Sequence, residues 1–193
     1  MAEGFVEVVV EGPRGWDLGF IQGFFRARGA KGAVLDAEYE GFDCSGFREK
    51  LAELLHPGRE RLHLIVPESL EALLAEAVAA SGEGPHPLSI VARRPIGGAA
   101  FSFSFRIFSR EVGERVKDLL LHPPEGVLVE WSGPLEERID PRARGTELYA
   151  PSHDYELRGE GACTGSLEAV LALHQRLKRE EPVHLRRLEL LEA

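Results

Sequence analysis

Segments typical of strands and of helices alternate strictly through the first half of the chain. Phe5–Val10 is compact and rich in β-branched residues, which predicts a strand. A Gly/Pro break follows, and Asp17 then precedes a segment in which Leu18, Ile21 and Phe25 form an apolar stripe at helical spacing. The same alternation continues and predicts the order β-α-β-α-β-α-β. Strict alternation favours right-handed crossovers, so we expect an α/β unit with a mainly parallel sheet.

The hydrophobic pattern changes in the second half of the chain. Phe101, Phe103 and Phe105 alternate with Ser102 and Ser104, which predicts a strand with one buried and one wetter face. A helix is predicted over 111–122 and a strand over 127–131, and further segments complete the order β-α-β-β-α-β. That order is the ferredoxin-like, or split βαβ, arrangement.

Two domains are therefore predicted, giving an overall α/β (α+β) fold class. Residues 1–94 form the α/β domain and residues 100–193 the ferredoxin-like α+β domain. The intervening residues 95–99 contain Pro95, Gly97 and Gly98, and this composition favours a linker.

A short pattern occurs once in each half and raises the hypothesis of internal duplication. Cys44-Ser45-Gly46 and Cys163-Thr164-Gly165 each precede a predicted helix, and each helix is followed by a His-Leu pair on a predicted strand. Coincidence is the alternative, because Ser, Thr and Gly are ordinary residues at the start of a helix.

Charge and apolar run length exclude some functions. Acidic residues number 32 against 23 basic ones, for a net charge of -9, and an acidic chain repels nucleic acid and anionic lipid. No stretch approaches the ~20 apolar residues of a membrane span, and no signal peptide is visible. Two cysteines are too few for a disulfide scaffold. We therefore expect a cytoplasmic protein without nucleic-acid or membrane partners.

Cys163 is one candidate for catalysis. It falls between a predicted strand and a predicted helix, where helix-start N–H groups lower a thiol pKa. His153 and Asp154 lie just upstream, so the three residues form a candidate Cys/His/Asp nucleophile. The alternative is that Cys163 is a small buried packing residue, the commoner role of a free cysteine.

Paired carboxylates provide a second candidate. Asp36, Glu38 and Glu40 alternate along a strand predicted over 33–40, so all three would face one side of the sheet. At the end of a central parallel strand, Asp36 and Glu38 would lie near the ligand crevice of an α/β sheet. An edge strand protected by charge is the alternative, and the favoured one.

Two loops are considered as ligand sites. Residues 12–17 connect a strand to a helix, where a phosphate loop would lie, but their glycine spacing favours a plain turn and helix cap. The irregular segment 142–155 contains Arg142, Arg144 and Tyr149, which suit a small acidic ligand or an acidic partner. The alternative is that this segment is a solvent-exposed loop without a binding role.

We find no sequence signature for a metal or a cofactor. The seven histidines are scattered, without a His-x-x-x-His pair, and the cysteines are not paired. We therefore expect no dedicated zinc site and no cofactor.

The absence of a specific catalytic motif favours a small-ligand-binding or protein-assembly module without catalysis, with a homodimer as one form of assembly. The alternative is a small enzyme that uses a crevice between its domains. Nucleic-acid binding is the weakest hypothesis because of the acidic charge.

Overall fold

The computed structural model describes residues 4–30, 34–52, 56–85, 87–139 and 154–193. These residues form a mixed α+β fold with five α-helices and ten strands of an antiparallel sheet. None of the helices in the described part of the chain has the length and apolar character needed to cross a membrane.

The helices and strands have the following bounds. The strands are β1 Phe5–Pro13, β2 Leu35–Asp36, β3 Phe42–Asp43, β4 Arg59–Pro67, β5 Ser89–Ile107, β6 Val127–Trp131, β7 Glu136–Ile139, β8 Tyr155–Gly165, β9 Val183–Leu185 and β10 Leu188–Glu192. The α-helices are α1 Gly19–Ala27, α2 Ser45–Lys50, α3 Glu71–Ser81, α4 Arg110–Leu121 and α5 Leu167–Lys178, with a 3-10 turn at Glu68–Leu70.

The chain divides into two compact units. Unit 1 contains the residues up to Gly97 together with Leu190–Ala193, and unit 2 contains Gly98–Glu189. Residues 95–99, the predicted linker, are extended backbone within the strand β5, and the linker role stays a prediction. The domain bounds at 94 and 100 stay a prediction.

The sheet of unit 1 is antiparallel, so the expected parallel sheet is wrong. β1 pairs antiparallel with β4 on one side and with β5 on the other, and β4 pairs antiparallel with β2. The order is thus β5-β1-β4-β2. β1 and β2 run parallel to each other and are connected through α1, but they are not neighbours in the sheet. β4 lies between them and pairs antiparallel with both. Alternation along the sequence does not reveal that a later strand lies between two earlier ones, so the prediction failed there.

The two faces of β1 are both buried, but with different partners. Val6, Val8 and Val10 pack in an apolar core with Ile21 and Phe25 of α1. The opposite face carries Glu7, Val9 and Glu11, which are at most 1% exposed. That face meets the segment around β3 and α2, where Phe42 and Cys44 are buried.

Unit 2 confirms the predicted alternation in the phenylalanine-rich part of β5. Phe101, Phe103 and Phe105 are each 3% exposed, whereas Ser102 is exposed. β5 pairs antiparallel with β8 and with β9, and β8 pairs antiparallel with β6 and with β7. Gly161 lies opposite Phe103, and a Cβ at this glycine would be only 2.9 Å from the Phe103 ring. The glycine therefore gives the aromatic rings room to pack.

The two cysteines of the repeated pattern occupy different structural positions. Cys44 directly precedes α2, whereas Cys163 lies inside β8 and pairs with Phe101. The expectation that Cys163 lies at a helix start is therefore wrong, since the next helix begins at Leu167. This difference in position gives the duplication hypothesis no support from the cysteine pattern.

Candidate functional site

The turn between β1 and α1 is built around Trp16. Its backbone N–H donates to the Pro13 carbonyl at 3.1 Å, and its indole N–H donates to the Glu60 carbonyl at 2.9 Å. Gly15 has a φ of 81°, a conformation that glycine adopts without strain, and its N–H donates to the Glu60 carboxylate at 3.0 Å. Asp17 accepts from the Gly19 N–H at 2.8 Å at the start of α1. The predicted turn is thus present, and its hydrogen bonds fix the Trp16 side chain against unit 1. The N-cap of α1 is Leu18 rather than the predicted Asp17.

A cavity of about 350 Å³ opens beside this turn, and we call it the Trp16 cleft. Its size falls within the ~300–1,000 Å³ usual for small-ligand sites. Its walls come from the β1–α1 turn, from Phe20 of α1, and from the α3–β5 connection. The lining residues are Arg14, Gly15, Trp16, Asp17, Phe20, Ser81, Gly84, Pro85 and Leu88.

The lining of the Trp16 cleft is mainly apolar and includes one exposed cation, Arg14. Trp16, Leu88 and Phe20 supply apolar surface, and the Phe20 side chain is 49% exposed despite its size. Arg14 is exposed and makes no hydrogen bond or ion pair with any other residue that the structure describes. The nearby carboxylate of Asp17 is engaged at the start of α1, where backbone N–H groups offset its charge. Arg14 is therefore available for a ligand anion.

A second cavity of about 380 Å³ shares Trp16 and Asp17 with the Trp16 cleft. It is lined by ten residues of unit 1, including Asp36, Tyr39 and Glu40. Asp36 does not share one face of an extended strand with Glu38 and Glu40. Its Oδ1 instead accepts hydrogen bonds from the backbone N–H groups of Glu38 at 3.0 Å and Tyr39 at 3.3 Å. The predicted strand over 33–40 is thus wrong beyond Asp36, since this side chain stabilises a turn there instead. Glu38 forms an ion pair with Arg48.

A buried charged cluster lies on the opposite face of the unit 1 sheet. The Glu7 carboxylate is fully buried, contacts His63 Nδ1 at 3.0 Å and accepts from Arg94 Nε. The Arg94 guanidinium also lies 4.5 Å from the centre of the Phe47 ring. Burial by itself raises the pKa of Glu7, but the hydrogen bonds from His63 and Arg94 outweigh burial and hold that pKa below its ordinary value.

Cys44 belongs to the same cluster. Its thiol is buried, and ligand atoms of Glu7, Cys44 and His63 all lie within 4.8 Å of one another. Burial, aided by the neighbouring Glu7 carboxylate, raises the pKa of Cys44 to about 12. The thiol is therefore protonated at neutral pH and is a poor nucleophile.

Glu11 forms a second buried carboxylate centre farther along β1. Its side chain is 2% exposed and lies 2.8 Å from His56 Nδ1, 2.9 Å from Arg59 Nε and 3.6 Å from Arg61 Nε. Burial raises the pKa of Glu11, but the hydrogen bond from His56 and the nearby Arg59 and Arg61 guanidinium groups lower it below its ordinary value. Arg61 also donates to the Leu51 carbonyl at 2.9 Å, so the centre helps to hold the end of the α2 segment.

The predicted Cys163/His153/Asp154 site receives no support from the environment of Cys163. This residue is fully buried within β8, and burial raises its pKa to about 12. His153 lies outside the described residues, and Asp154 directly precedes β8. Arg142, Arg144 and Tyr149, predicted to bind an acidic ligand, also lie outside the described residues. The catalytic and ligand-binding roles of these residues stay predictions.

Two features were missed by sequence reasoning, although the sequence carried a signal for each. Glu7 and Glu11 interrupt an otherwise apolar, β-branched strand, and they share a face because strand side chains alternate. Trp16 stands in a turn between a Gly/Pro break and a helix, where a large aromatic side chain is unusual for a plain connection.

The comparisons with known proteins add little. None of the family models and none of the curated proteins matches this chain. Among solved structures, the chain is similar to one described as an unknown protein from Galdieria sulphuraria, with 13% identity over 98% of each chain. The TM-score of that match is 0.27, and a likeness at this level supports no argument about fold or function.

Proposed function

We propose that this protein is a small-ligand-binding module, and that the Trp16 cleft of unit 1 binds an organic acid with an apolar body. The observation that carries the proposal is the combination of an apolar cavity with a cation that has no partner among the described residues. Trp16 and Leu88 would contact the apolar body of the ligand, and Arg14 would pair with its carboxylate. This agrees with the small acidic ligand expected from the sequence, although at different residues.

The rigidity of the cleft wall supports the same proposal. Trp16 is held through its indole N–H by Glu60, so binding would not require ordering of this large side chain. Gly12 lies behind it, and a Cβ there would be 2.8 Å from the Trp16 ring. Replacement of Gly12 would therefore displace the ring and change the shape of the cavity.

Binding can be measured with a matched pair of probes, 4-phenylbutyrate and its neutral analogue 4-phenylbutyramide. The two tryptophans are Trp16 and Trp131, so Trp131→Phe leaves Trp16 as the only tryptophan reporter. We expect the carboxylate to bind about fivefold more tightly than the amide, because an exposed ion pair contributes up to about 1 kcal/mol. Calorimetry on the wild-type chain gives the same ratio without any substitution.

The role of Arg14 is tested with a control on the adjacent helix. Arg14→Gln should remove the preference for the carboxylate, while binding of the amide stays unchanged. Arg26→Gln removes the same charge from α1, but Arg26 does not line the cleft, so this variant should keep the preference. The proposal fails if neither probe binds, or if Arg14→Gln and Arg26→Gln behave alike.

We also propose that each unit has the ferredoxin-like arrangement, which bears on the predicted duplication. The strand order β5-β1-β4-β2 of unit 1 and the order β9-β5-β8-β6 of unit 2 both support it. In each unit a helix follows the first strand, and a second helix precedes the last. The equivalent strands are then β4 and β8, so Cys44 and Cys163 would not be counterparts. Assembly with a protein partner or as a homodimer, and enzymatic activity, stay predictions.

A further inference from the structure

Three side chains from separate segments meet beneath the α2 segment. Glu7 comes from β1, His63 from β4, and Cys44 from the connection between β3 and α2. All three are nearly inaccessible, at 0%, 1% and 3% exposure respectively. Their carboxylate, imidazole and thiol ligand atoms lie within 4.8 Å of one another, so one bound ion could contact all three groups after small side-chain adjustments.

One polar atom at this cluster is left without a partner. His63 places Nδ1 3.0 Å from the Glu7 carboxylate, while its buried Nε2 makes no hydrogen bond within the described structure. A buried polar atom that lacks a partner costs about 1–3 kcal/mol. The Cys44 thiol makes a long contact of 3.9 Å to the Phe42 carbonyl and also interacts with the Glu7 carboxylate. The cluster thus contains metal-ligand groups whose bonding capacity is not used fully by the protein.

We propose that Glu7, Cys44 and His63 bind one divalent transition-metal ion of the zinc type. A sulfur, a nitrogen and an oxygen ligand are the set that Zn²⁺ accepts, and three protein ligands leave a position for one further ligand. This site is separate from the Trp16 cleft, since none of the three residues lines that cavity. It is also contrary to the expectation from histidine spacing, which considered only neighbours along the sequence.

The surrounding charges are compatible with a dication. Glu7 and the Cys44 thiolate would supply two negative charges, with the thiol proton released to solvent on binding. Arg94, which pairs with Glu7, also lies 3.3 Å from the Glu192 carboxylate. The guanidinium thus keeps an anionic partner when Glu7 turns to the ion. The ion would tie the α2 segment to β1 and β4.

Cobalt is the probe for the proposed site. The full-length chain is treated with a chelator, freed of it, and titrated with Co²⁺ while the thiolate-to-cobalt charge-transfer absorption is recorded. We expect the band to saturate at one Co²⁺ per chain and to disappear when Zn²⁺ is added in competition. Absence of the band in the folded chain overturns the proposal.

Two cysteine variants test which thiol produces the charge-transfer band. Cys163→Ala leaves Cys44 as the only thiol, so it should keep the band. Cys44→Ala should abolish it and weaken Co²⁺ binding at least about a hundredfold, since loss even of an outer-shell partner costs 10–100-fold. A band that survives in Cys44→Ala, or is lost in folded Cys163→Ala, contradicts the assignment.

Two further measurements do not depend on the folding of a variant. X-ray absorption of the zinc-loaded wild-type chain should show one sulfur ligand per ion, and a spectrum without sulfur overturns the proposal. Zn²⁺ at a hundred times its dissociation constant should also raise the ratio of folded to unfolded chain about a hundredfold. Failure of the organic-acid probes would refute the Trp16 cleft proposal alone and leave these metal results unaffected.

Discussion

Removal of the Arg94 guanidinium should expose the energetic role of the buried cluster. Arg94→Met keeps most of the apolar length of the side chain but leaves the Glu7 carboxylate, which is 0% exposed, with its hydrogen bond to His63 and without the guanidinium. Breaking a buried ion pair costs about 3–5 kcal/mol, because an uncompensated charge stays in the interior. We take the lower end, about 3 kcal/mol, because the hydrogen bond between His63 and Glu7 is kept.

The neighbouring residue on the same strand provides the control. Arg93 pairs with Glu71 on the other face of β5, where its side chain is 52% exposed. Arg93→Met removes the same charge and the same type of side chain, but from a solvated position. Its effect on the free energy of unfolding should therefore be much smaller than that of Arg94→Met.

Urea unfolding, followed by Trp16 fluorescence in a Trp131→Phe background, measures the effect in unit 1. With a denaturant slope of about 2 kcal/mol per M, a loss of 3 kcal/mol lowers the midpoint by roughly 1.5 M. Equal shifts for Arg93→Met and Arg94→Met would refute the argument from burial. A second variant separates charge from packing: Glu7→Gln combined with Arg94→Met should recover part of the loss, because it removes the unpaired charge. No recovery would assign the cost to lost packing against Phe47 instead.

Three further outcomes follow from the structure. Burial lowers the pKa of His174 below its ordinary value of about 6.5. The free energy of unfolding should therefore fall as the pH drops below that value, by at most about 1.4 kcal/mol per pH unit. In urea unfolding measured over this pH range, His174→Gln should remove most of that fall. Gly161→Ala should lower the free energy of unfolding by about 1–3 kcal/mol, because the added Cβ would overlap the Glu130 carbonyl oxygen and the Phe103 ring. Gly23→Ala, with open space within α1, should raise it by about 0.5–1 kcal/mol, and equal shifts of the two variants in thermal unfolding would refute this. Both cysteines, buried and with pKa values raised to about 12, should resist a thiol reagent until the chain is denatured, and rapid labelling of the native chain would contradict that burial.

The second-half fold was predictable where the signal is local. The strand β6 was predicted at the same residues, Val127–Trp131, and the predicted helix over 111–122 corresponds to α4 at Arg110–Leu121. A strand repeats every two residues and a helix every 3.6, so apolar positions identify the element and its buried face without knowledge of its neighbours. The same reasoning placed Phe101 and Phe103 in the core.

Prediction failed where a residue's role depends on distant partners. Cys163 follows an apparent strand end, and only its pairing with Phe101 shows that β8 continues through it. The residues around Asp36 show the polar-apolar alternation of a strand, but the Asp36 side chain accepts hydrogen bonds from two backbone N–H groups and stabilises a turn instead. Propensity is a weak constraint on such short segments, and contacts with the rest of the chain decide them.

The sequence by itself determined most of the helices and strands, the buried face of the phenylalanine strand, and an acidic surface charge. Only the tertiary structure decided that β4 lies between β1 and β2, and this pairing makes the sheet antiparallel. The same pairing brings Glu7 beside His63, while the α2 segment brings Cys44 to both. Side-chain periodicity is a property of neighbouring residues, whereas strand order depends on the free energy of the whole packed unit, so the sites of this protein are defined by its fold.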